Sequence, residues 1–386
     1  GRDRRPLRTG AGGPQGRGKR NFFIMNCVCR IFRRKTAKNP LATSAPPCYH
    51  TGDITVERKW KYMELTPLKL HPAYKEYLWG GHRLRAAYHK EDAPEITAES
   101  WELAQRPEGV SVVEGGTLAG RTLDDLAALD REAFWGKNCA DMREFPLLAK
   151  LIDARKDLSI QVHPSDETAL RDRGEAGKAE MWYIVDAAPG AEIICGLRAG
   201  MGRAEFAEAV RAGKIDGVMH RQKVRKGEVY FIPAGLLHAI GGGILIAEIQ
   251  QNCDLTYRVY DYDRRDKDGN LRPLHVEKAL DVVRPFTAEE IDAIRFSRRS
   301  DSLANGEVLA DCDFFRVERL TLDNSEAVLP DFAGMRHLLC VDGSATLLCG
   351  GERYTLAKGD NLESWLLPAG LPASLSGTAT LIVSAV

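Results

Sequence analysis

Between positions 158 and 249 the chain alternates short apolar runs with Gly and Pro turns. The segments 158–162, 182–185, 191–195, 228–232 and 244–249 are rich in Ile, Val and aromatic residues, which is the composition of β-strands. Strands this short and this regularly interrupted predict a sandwich or barrel. Two stretches carry a helical period instead. Residues 204–212 place Phe206 and Val210 at i,i+4, and residues 276–283 place Val276, Leu280 and Val283 on one side, so both are expected to cover the barrel or its ends.

Upstream, from 65 to 153, the pattern is mixed. Pro67, Pro72, Gly80 and Gly81 punctuate its opening, and Thr122 then precedes Leu123, Leu126 and Leu129, with Asp124 and Asp125 in the first turn. A capped amphipathic helix is expected there, because a Thr side chain satisfies free amides and acids suit the positive end of the helix dipole. A second block of short strands runs from Phe314 to the C-terminus, with turns at Asp342-Gly343 and Gly350-Gly351.

The two strand blocks echo each other. Lys226-Gly227-Glu228 leads to Pro233-Ala234-Gly235-Leu236, and Lys358-Gly359-Asp360 leads to Pro368-Ala369-Gly370-Leu371. Two copies of one β unit are the expected origin. Five residues after the Pro stands His238 in the first copy and Ala373 in the second, so the second copy is expected to be structural.

Residues 1–62 show no period beyond the apolar run 22–25 and are read as a disordered basic tail. Such a tail has the basic, acid-poor character of an organellar transit peptide, while the lack of an initiator Met at position 1 favours a translated upstream region or a fragment, with Met63 as a natural start. Residues 63–290 are then expected to form a catalytic domain with a helical insertion, and 291–386 a metal-free C-terminal unit.

The formal net charge of zero conceals an asymmetry. Residues 1–52 hold twelve Lys or Arg and one acid, Asp3, leaving 42 basic and 53 acidic residues in the body. A body charge of about −11 argues against nucleic acid as a partner. No 18-residue apolar span is present, so no membrane insertion is expected. Nine cysteines without paired metal spacing fit a reduced cytoplasmic setting, and a monomer or homodimer is expected.

Candidate chemistry lies in the middle of the chain. Gln161 and His163 stand at i and i+2, so on a strand both point to one face while Ile160 and Val162 point to the other. A lone strand histidine is more often a core or surface residue than a ligand. Glu180 and His238, in similarly strand-like settings, change that balance: two imidazoles, a carboxylate and an amide oxygen suit a divalent ion with open positions for Lewis-acid chemistry. Glu248 shares a strand face with Ile244, Ile246 and Gln250, where apolar neighbours raise a carboxyl pKa toward one suited to proton transfer.

The segment 227–238 reads Gly-x5-Pro-x-Gly-x2-His, which resembles the second motif of the cupin superfamily; the usual first motif, His-x-His, is here Gln161-Val162-His163. A closer resemblance follows from 159–164, Gly177-Lys178-Ala179-Glu180-Met181-Trp182-Tyr183, 233–238, Gln250-Gln251-Asn252 and 256–264, together with Tyr77-Leu78-Trp79-Gly80-Gly81 and Glu99-Ser100-Trp101-Glu102. These resemble the class I mannose-6-phosphate isomerases of the short bacterial type, from about Leu65 to the C-terminus.

The resemblance implies a mainly β, two-cupin fold and a zinc-dependent aldose–ketose isomerase acting on a sugar phosphate, with one Zn2+ per chain. It implies His163, Glu180 and His238 as zinc ligands with Gln161 as a fourth, and Arg258 as the active-site arginine. Ser159, Lys178 and Arg264 fall where relatives bind the sugar phosphate, Arg264 standing where some have Lys; Glu248 falls at an acidic pocket position. Moving a proton between C1 and C2 of an open-chain sugar passes through an enediolate, whose charge a cation and Arg258 would stabilise. The base is left open between Glu248 and a zinc-bound hydroxide. Other expectations from the residues are a different cupin activity, such as a glucose-6-phosphate isomerase or oxygenase, or a sugar-phosphate-binding regulatory cupin without turnover.

Overall fold

The structure, a computed structural model, describes residues 65–386 apart from 267, 358 and 360. The basic tail, Met63, and Lys358 and Asp360 of the second repeat copy lie outside the described residues. The fold is mainly β. Three sheets carry it: a six-stranded sheet, a five-stranded sheet and an eight-stranded sheet, with a two-stranded ribbon besides.

The six-stranded sheet orders its strands as Val229–Ile232, Glu180–Ala187, Ile244–Gln251, Leu147–Ala154, Glu99–Leu103 and Ala73–Lys75, all antiparallel. The five-stranded sheet runs Met219–Lys223, Glu192–Leu197, His238–Ile240, Ile160–Val162 and Tyr257–Tyr260. Alternation of side chains then dictates the layers. Ile152, Trp182, Ile184, Ile244 and Ile246 from the first sheet meet Ile193 and Ile240 from the second in one core. On the outer face of the five-stranded sheet, Ile160, Val162, Ile194, Tyr257 and Val259 pack under Phe206 and Leu280 of two helices, Arg203–Arg211 and Val276–Val282. Both helices were legible in the periodicity, and they cover the sheet because each presents one apolar stripe.

The outer face of the six-stranded sheet carries Leu147, Ala149 and Leu151 at alternate positions of one strand. With Met181, Tyr183 and Ala247 they pack against Phe315, Leu339 and Ile382 of the eight-stranded sheet. That third sheet is built from long strands, Arg316–Val328, Arg336–Cys349 and Ala373–Ala385 among them. Their register shifts near Cys340 and Asp342, and the opposite faces of these strands enclose a second core of Leu320, Leu338, Leu347, Trp365 and Leu381. Bulges bend strands, and Gly343 sits there with φ +80° because an added Cβ would fall 2.2 Å from the Thr378 carbonyl oxygen. Leu68–His71 pairs with Glu363–Leu367, so a strand from the start of the described chain belongs to the C-terminal sheet.

Helix Leu123–Trp135 has the expected cap: the Thr122 hydroxyl accepts from the Asp125 amide at 3.1 Å and the Asp125 carboxylate accepts from the Thr122 amide at 2.9 Å. The strand Leu147–Ala154 was not foreseen. Lys150 and Asp153 interrupt its apolar run in sequence, yet all eight of its residues are buried. Helices Asp166–Arg173 and Ala288–Arg295 are likewise absent from the sequence reading, the first having little apolar character and the second burying no residue.

The repeat is visible in the described residues. Gly227 and Gly235 have φ of +87° and +92°, and Gly359 and Gly370 have +67° and +71°. His238 and Ala373 each begin the strand after the Pro-Ala-Gly-Leu turn.

Candidate active site and metal centre

Gln161 is the register partner of both neighbours in the five-stranded sheet, His238 on one side and Arg258 on the other. One row across three strands therefore carries His238, Gln161 and Arg258. His163, two residues on from Gln161, joins them, and Glu180 reaches in from the facing sheet. The ligand atoms of His163, Glu180 and His238 all lie within 4.8 Å of one another, and the three residues are buried.

The protonation of this cluster follows from its hydrogen bonds. His163 Nδ1 lies 3.0 Å from the Leu255 carbonyl oxygen and His238 Nδ1 2.8 Å from that of Leu236. A carbonyl accepts only from a protonated nitrogen, so each neutral ring is bare at Nε2. Burial keeps both rings neutral, pushing His163 down to about 3 and lowering His238 as well. The two bare Nε2 atoms are 3.1 Å apart, and Glu180 Oε1 is 3.2 Å from that of His163. Three lone-pair donors thus converge, none carrying a proton of its own at the meeting point, an arrangement that a bound cation relieves. Nitrogen, nitrogen and carboxylate oxygen form a donor set that suits zinc.

Burial by itself would raise the Glu180 carboxyl, but the Lys178 ammonium 2.9 Å away and His163 outweigh it and hold the group well below its usual range. The Gln161 amide nitrogen is 3.3 Å from His238 Nε2. Its far end is 3.3 Å from the Ser159 hydroxyl, which in turn accepts from Arg258 Nε at 3.3 Å.

A second row crosses the six-stranded sheet, where Glu248 pairs with Lys150 on one side and Trp182 on the other. The Trp182 indole N–H lies 3.0 Å from Glu180 and 2.9 Å from Glu248. Lys150 is buried, with Glu99 and Glu248 each at 3.6 Å and Asp254 at 3.8 Å. Burial, reinforced by the Glu180 charge, pushes the Glu248 carboxyl up to about 7. Burial alone would lower the Lys150 ammonium, but the charges of Glu99, Glu248 and Asp254 overcome it and hold the group protonated.

A cavity of about 400 Å³ opens onto both rows. It is lined by Ser159, Gln161, Lys178, Glu248 and Arg258, all expected from the sequence, and by Tyr77, Trp79, Glu99, Lys150, Trp182, Asp254, Arg173, Arg272 and His275 among others. Burial and the nearby Arg272 charge lower the Arg258 guanidinium. Arg258 forms no ion pair with Asp254 or Asp261 among the described residues; its Nη1 donates to the Pro273 carbonyl at 3.1 Å.

One placement differs from the sequence reading. Arg264, expected at the sugar phosphate, does not line the cavity: its Nη1 donates to the Asp157 carbonyl at 2.5 Å and its Nη2 pairs with the Asp261 carboxylate. That local pair, three residues apart, captures the guanidinium before it reaches the pocket. His275 also lines the cavity, with its Nδ1 3.3 Å from the Arg258 amide. Lys150 and Arg272 carried no signal in the sequence, because each depends on strand register or loop closure for its position.

Comparison with known proteins gives a consistent picture. The family model described as phosphomannose isomerase type I, catalytic domain, matches residues 67–187, and that described as mannose-6-phosphate isomerase, cupin domain, matches 306–386. The chain is 39% identical over 324 residues to the mannose-6-phosphate isomerase ManA of Bacillus subtilis (strain 168), covering 83% of this chain and 99% of that one. It is 37% identical over 296 residues to the mannose-6-phosphate isomerase of Streptococcus mutans serotype c, covering 77% and 91%. The crystal structure of the mannose 6-phosphate isomerase from Bacillus subtilis superposes with a TM-score of 0.73 at 35% identity, over 83% of this chain and 100% of that one. On these matches, and with a buried His/Glu/His cluster between its five-stranded and six-stranded sheets, the chain belongs to the type I phosphomannose isomerases.

Proposed function

We propose that this protein interconverts D-mannose 6-phosphate and D-fructose 6-phosphate through an enediolate, using one zinc ion per chain held by His163, Glu180 and His238 with Gln161 as fourth ligand. The observation that carries the reading is the convergence of three unprotonated donor atoms directly behind a cavity lined by their neighbours Gln161, Lys178 and Trp182, by Arg258, which has no ion pair among the described residues, and by a carboxyl group raised to about 7. An ion held there would supply Lewis-acid charge to stabilise a developing oxyanion.

The chain's own groups do the rest. Glu248, near neutrality in its pKa, is suited to take the proton from one carbon and return it to the next. Arg258, fixed by Ser159 and the Pro273 carbonyl, directs its remaining N–H groups at the oxygen that gains charge. Lys178 balances Glu180 and keeps it anionic. Trp182 holds the Glu180 and Glu248 carboxylates at a fixed separation, and with Trp79 and Ile152 gives the cavity the apolar surface that limits water. We assign catalysis to residues 63–290 and a supporting role to 291–386, where Ala373 replaces the histidine.

The test is a coupled assay on mannose, glucose and fructose 6-phosphates with metal content measured in parallel. Conversion of mannose 6-phosphate that is lost on chelation and restored by zinc supports the reading. Turnover that persists in metal-free protein would falsify the zinc mechanism, and tight sugar-phosphate binding without turnover would make the protein a regulatory cupin.

A further inference from the structure

Arg264 is committed elsewhere, and the residues that take its place are identifiable. The carboxylate that pairs with Arg264 also grips a second arginine at two points: Arg272 Nε donates to Asp261 Oδ2 at 2.7 Å and Arg272 Nη2 to Oδ1 at 2.6 Å. Arg272, unlike Arg264, lines the cavity. The grip leaves its Nη1 without a hydrogen bond among the described residues. Arg173, at the end of helix Asp166–Arg173, lines the same cavity, and its side chain makes no hydrogen bond or ion pair among the described residues.

Charge counting on the wall gives a clear sign. Arg258, Arg272 and Arg173 all line it, and the one carboxylate paired with any of them among the described residues, Asp261, is shared with Arg264, while the lining carboxylates Glu99, Glu248 and Asp254 are paired with Lys150. The unbalanced positive charge faces the cavity. Lys178 does not add to it, because its ammonium is 2.9 Å from Glu180 and its side chain is only 4% exposed. Planar guanidinium groups are the side chains that match phosphate geometry best.

We propose that Arg272 and Arg173, rather than Arg264, bind the phosphate group of the sugar phosphate, and that Asp261, backed by Arg264, is a positioning residue that sets the Arg272 guanidinium. The inference rests on the hexose-phosphate reading given above and deepens it. It assigns specificity to a loop arginine held by a carboxylate that itself never touches substrate.

The experiment compares zinc-loaded wild type with Arg272→Ala, Arg272→Lys, Arg173→Ala, Arg264→Ala and Asp261→Asn, measuring kcat, KM for mannose 6-phosphate, thermal midpoint, and binding of inorganic phosphate by calorimetry. Losing a charge-assisted contact is expected to raise KM about tenfold or more in Arg272→Ala, with kcat within about twofold and phosphate binding weakened in parallel. Arg272→Lys recovers part of the loss, Arg173→Ala shows a smaller rise, and Asp261→Asn raises KM without lowering kcat. Arg264→Ala lowers the thermal midpoint more than it raises KM. An unchanged KM and phosphate affinity in a folded Arg272→Ala, or a larger KM effect in Arg264→Ala, overturns the proposal while leaving the isomerase reading intact. Wild type that turns over no hexose phosphate yet loses phosphate binding in Arg272→Ala retains the anion site and refutes the isomerase reading instead.

Discussion

The amide of Gly235 donates to the carbonyl of His163 at 2.9 Å. One backbone hydrogen bond thus ties the turn that delivers His238 to the residue that supplies the other imidazole. The same turn is held from behind, where the Arg284 amide donates to the Gly235 carbonyl at 2.9 Å. Gly235 adopts φ +92°, and a Cβ on it would lie 2.9 Å from the Val282 carbonyl oxygen. Gly235→Ala is therefore expected to cost about 1–3 kcal/mol of stability from backbone strain and to weaken zinc retention. Denaturant unfolding and metal analysis after dialysis check both; full zinc occupancy in a destabilised variant would uncouple the turn from the metal centre.

Arg258→Ala is expected to lower kcat about 10²–10³-fold, the range for loss of one preorganised donor to a developing oxyanion, with KM much less affected. Steady-state kinetics on mannose 6-phosphate decide it. An unaffected kcat would remove Arg258 from the transition state.

Lys150 lies within 4 Å of Glu99, Glu248 and Asp254, and its side chain is 3% exposed. Lys150→Met leaves buried carboxylates without their counter-ion and is expected to destabilise by about 3–5 kcal/mol. Urea titration reads the loss. Stability equal to wild type would mean that the carboxylates simply take up protons.

Glu248 gives a pH signature in metal-free protein. Its folded value, about 7, lies above the ordinary 4.5, so the folded state holds more protons than the unfolded state between those limits. Stability from this group therefore falls as pH rises from 4.5 to 7 and stays lower beyond. Glu248→Gln removes the penalty: its stability relative to wild type should improve through that window and be unchanged below it. Unfolding titrations at several pH values test the sign, and parallel stability curves would show that Glu248 titrates normally.

A chain beginning at Met63 is expected to retain full activity, since every residue assigned to the cavity lies between Tyr77 and His275. Initial rates of the two forms, compared at equal zinc content, check this. A drop in kcat/KM would give the basic tail a part in catalysis.

Much of the site was legible because its signals are local. The i,i+2 pair Gln161 and His163 declares a polar strand face, and Pro233-Ala234-Gly235 before His238 declares a sharp turn into a strand; both depend on the backbone period alone. The capped helix at Thr122 and the helices around Phe206 and Leu280 are local in the same sense. Leu147–Ala154 was hidden, since Lys150 and Asp153 read as solvent-facing until partners from distant segments surround them.

The sequence by itself determined the mainly β class, the turns, and which side chains form the candidate metal cluster, because strand alternation and turn chemistry act over a few residues. Tertiary structure alone decided which residues share the cavity. Strand register set Lys150 beside Glu248 and Gln161 between His238 and Arg258, and it placed Leu68–His71 in the C-terminal sheet. Competition for Asp261 drew Arg264 out of the pocket while leaving Arg272 in it. Pairings between distant segments are fixed by burial and charge over the whole fold, so no period along the chain encodes them.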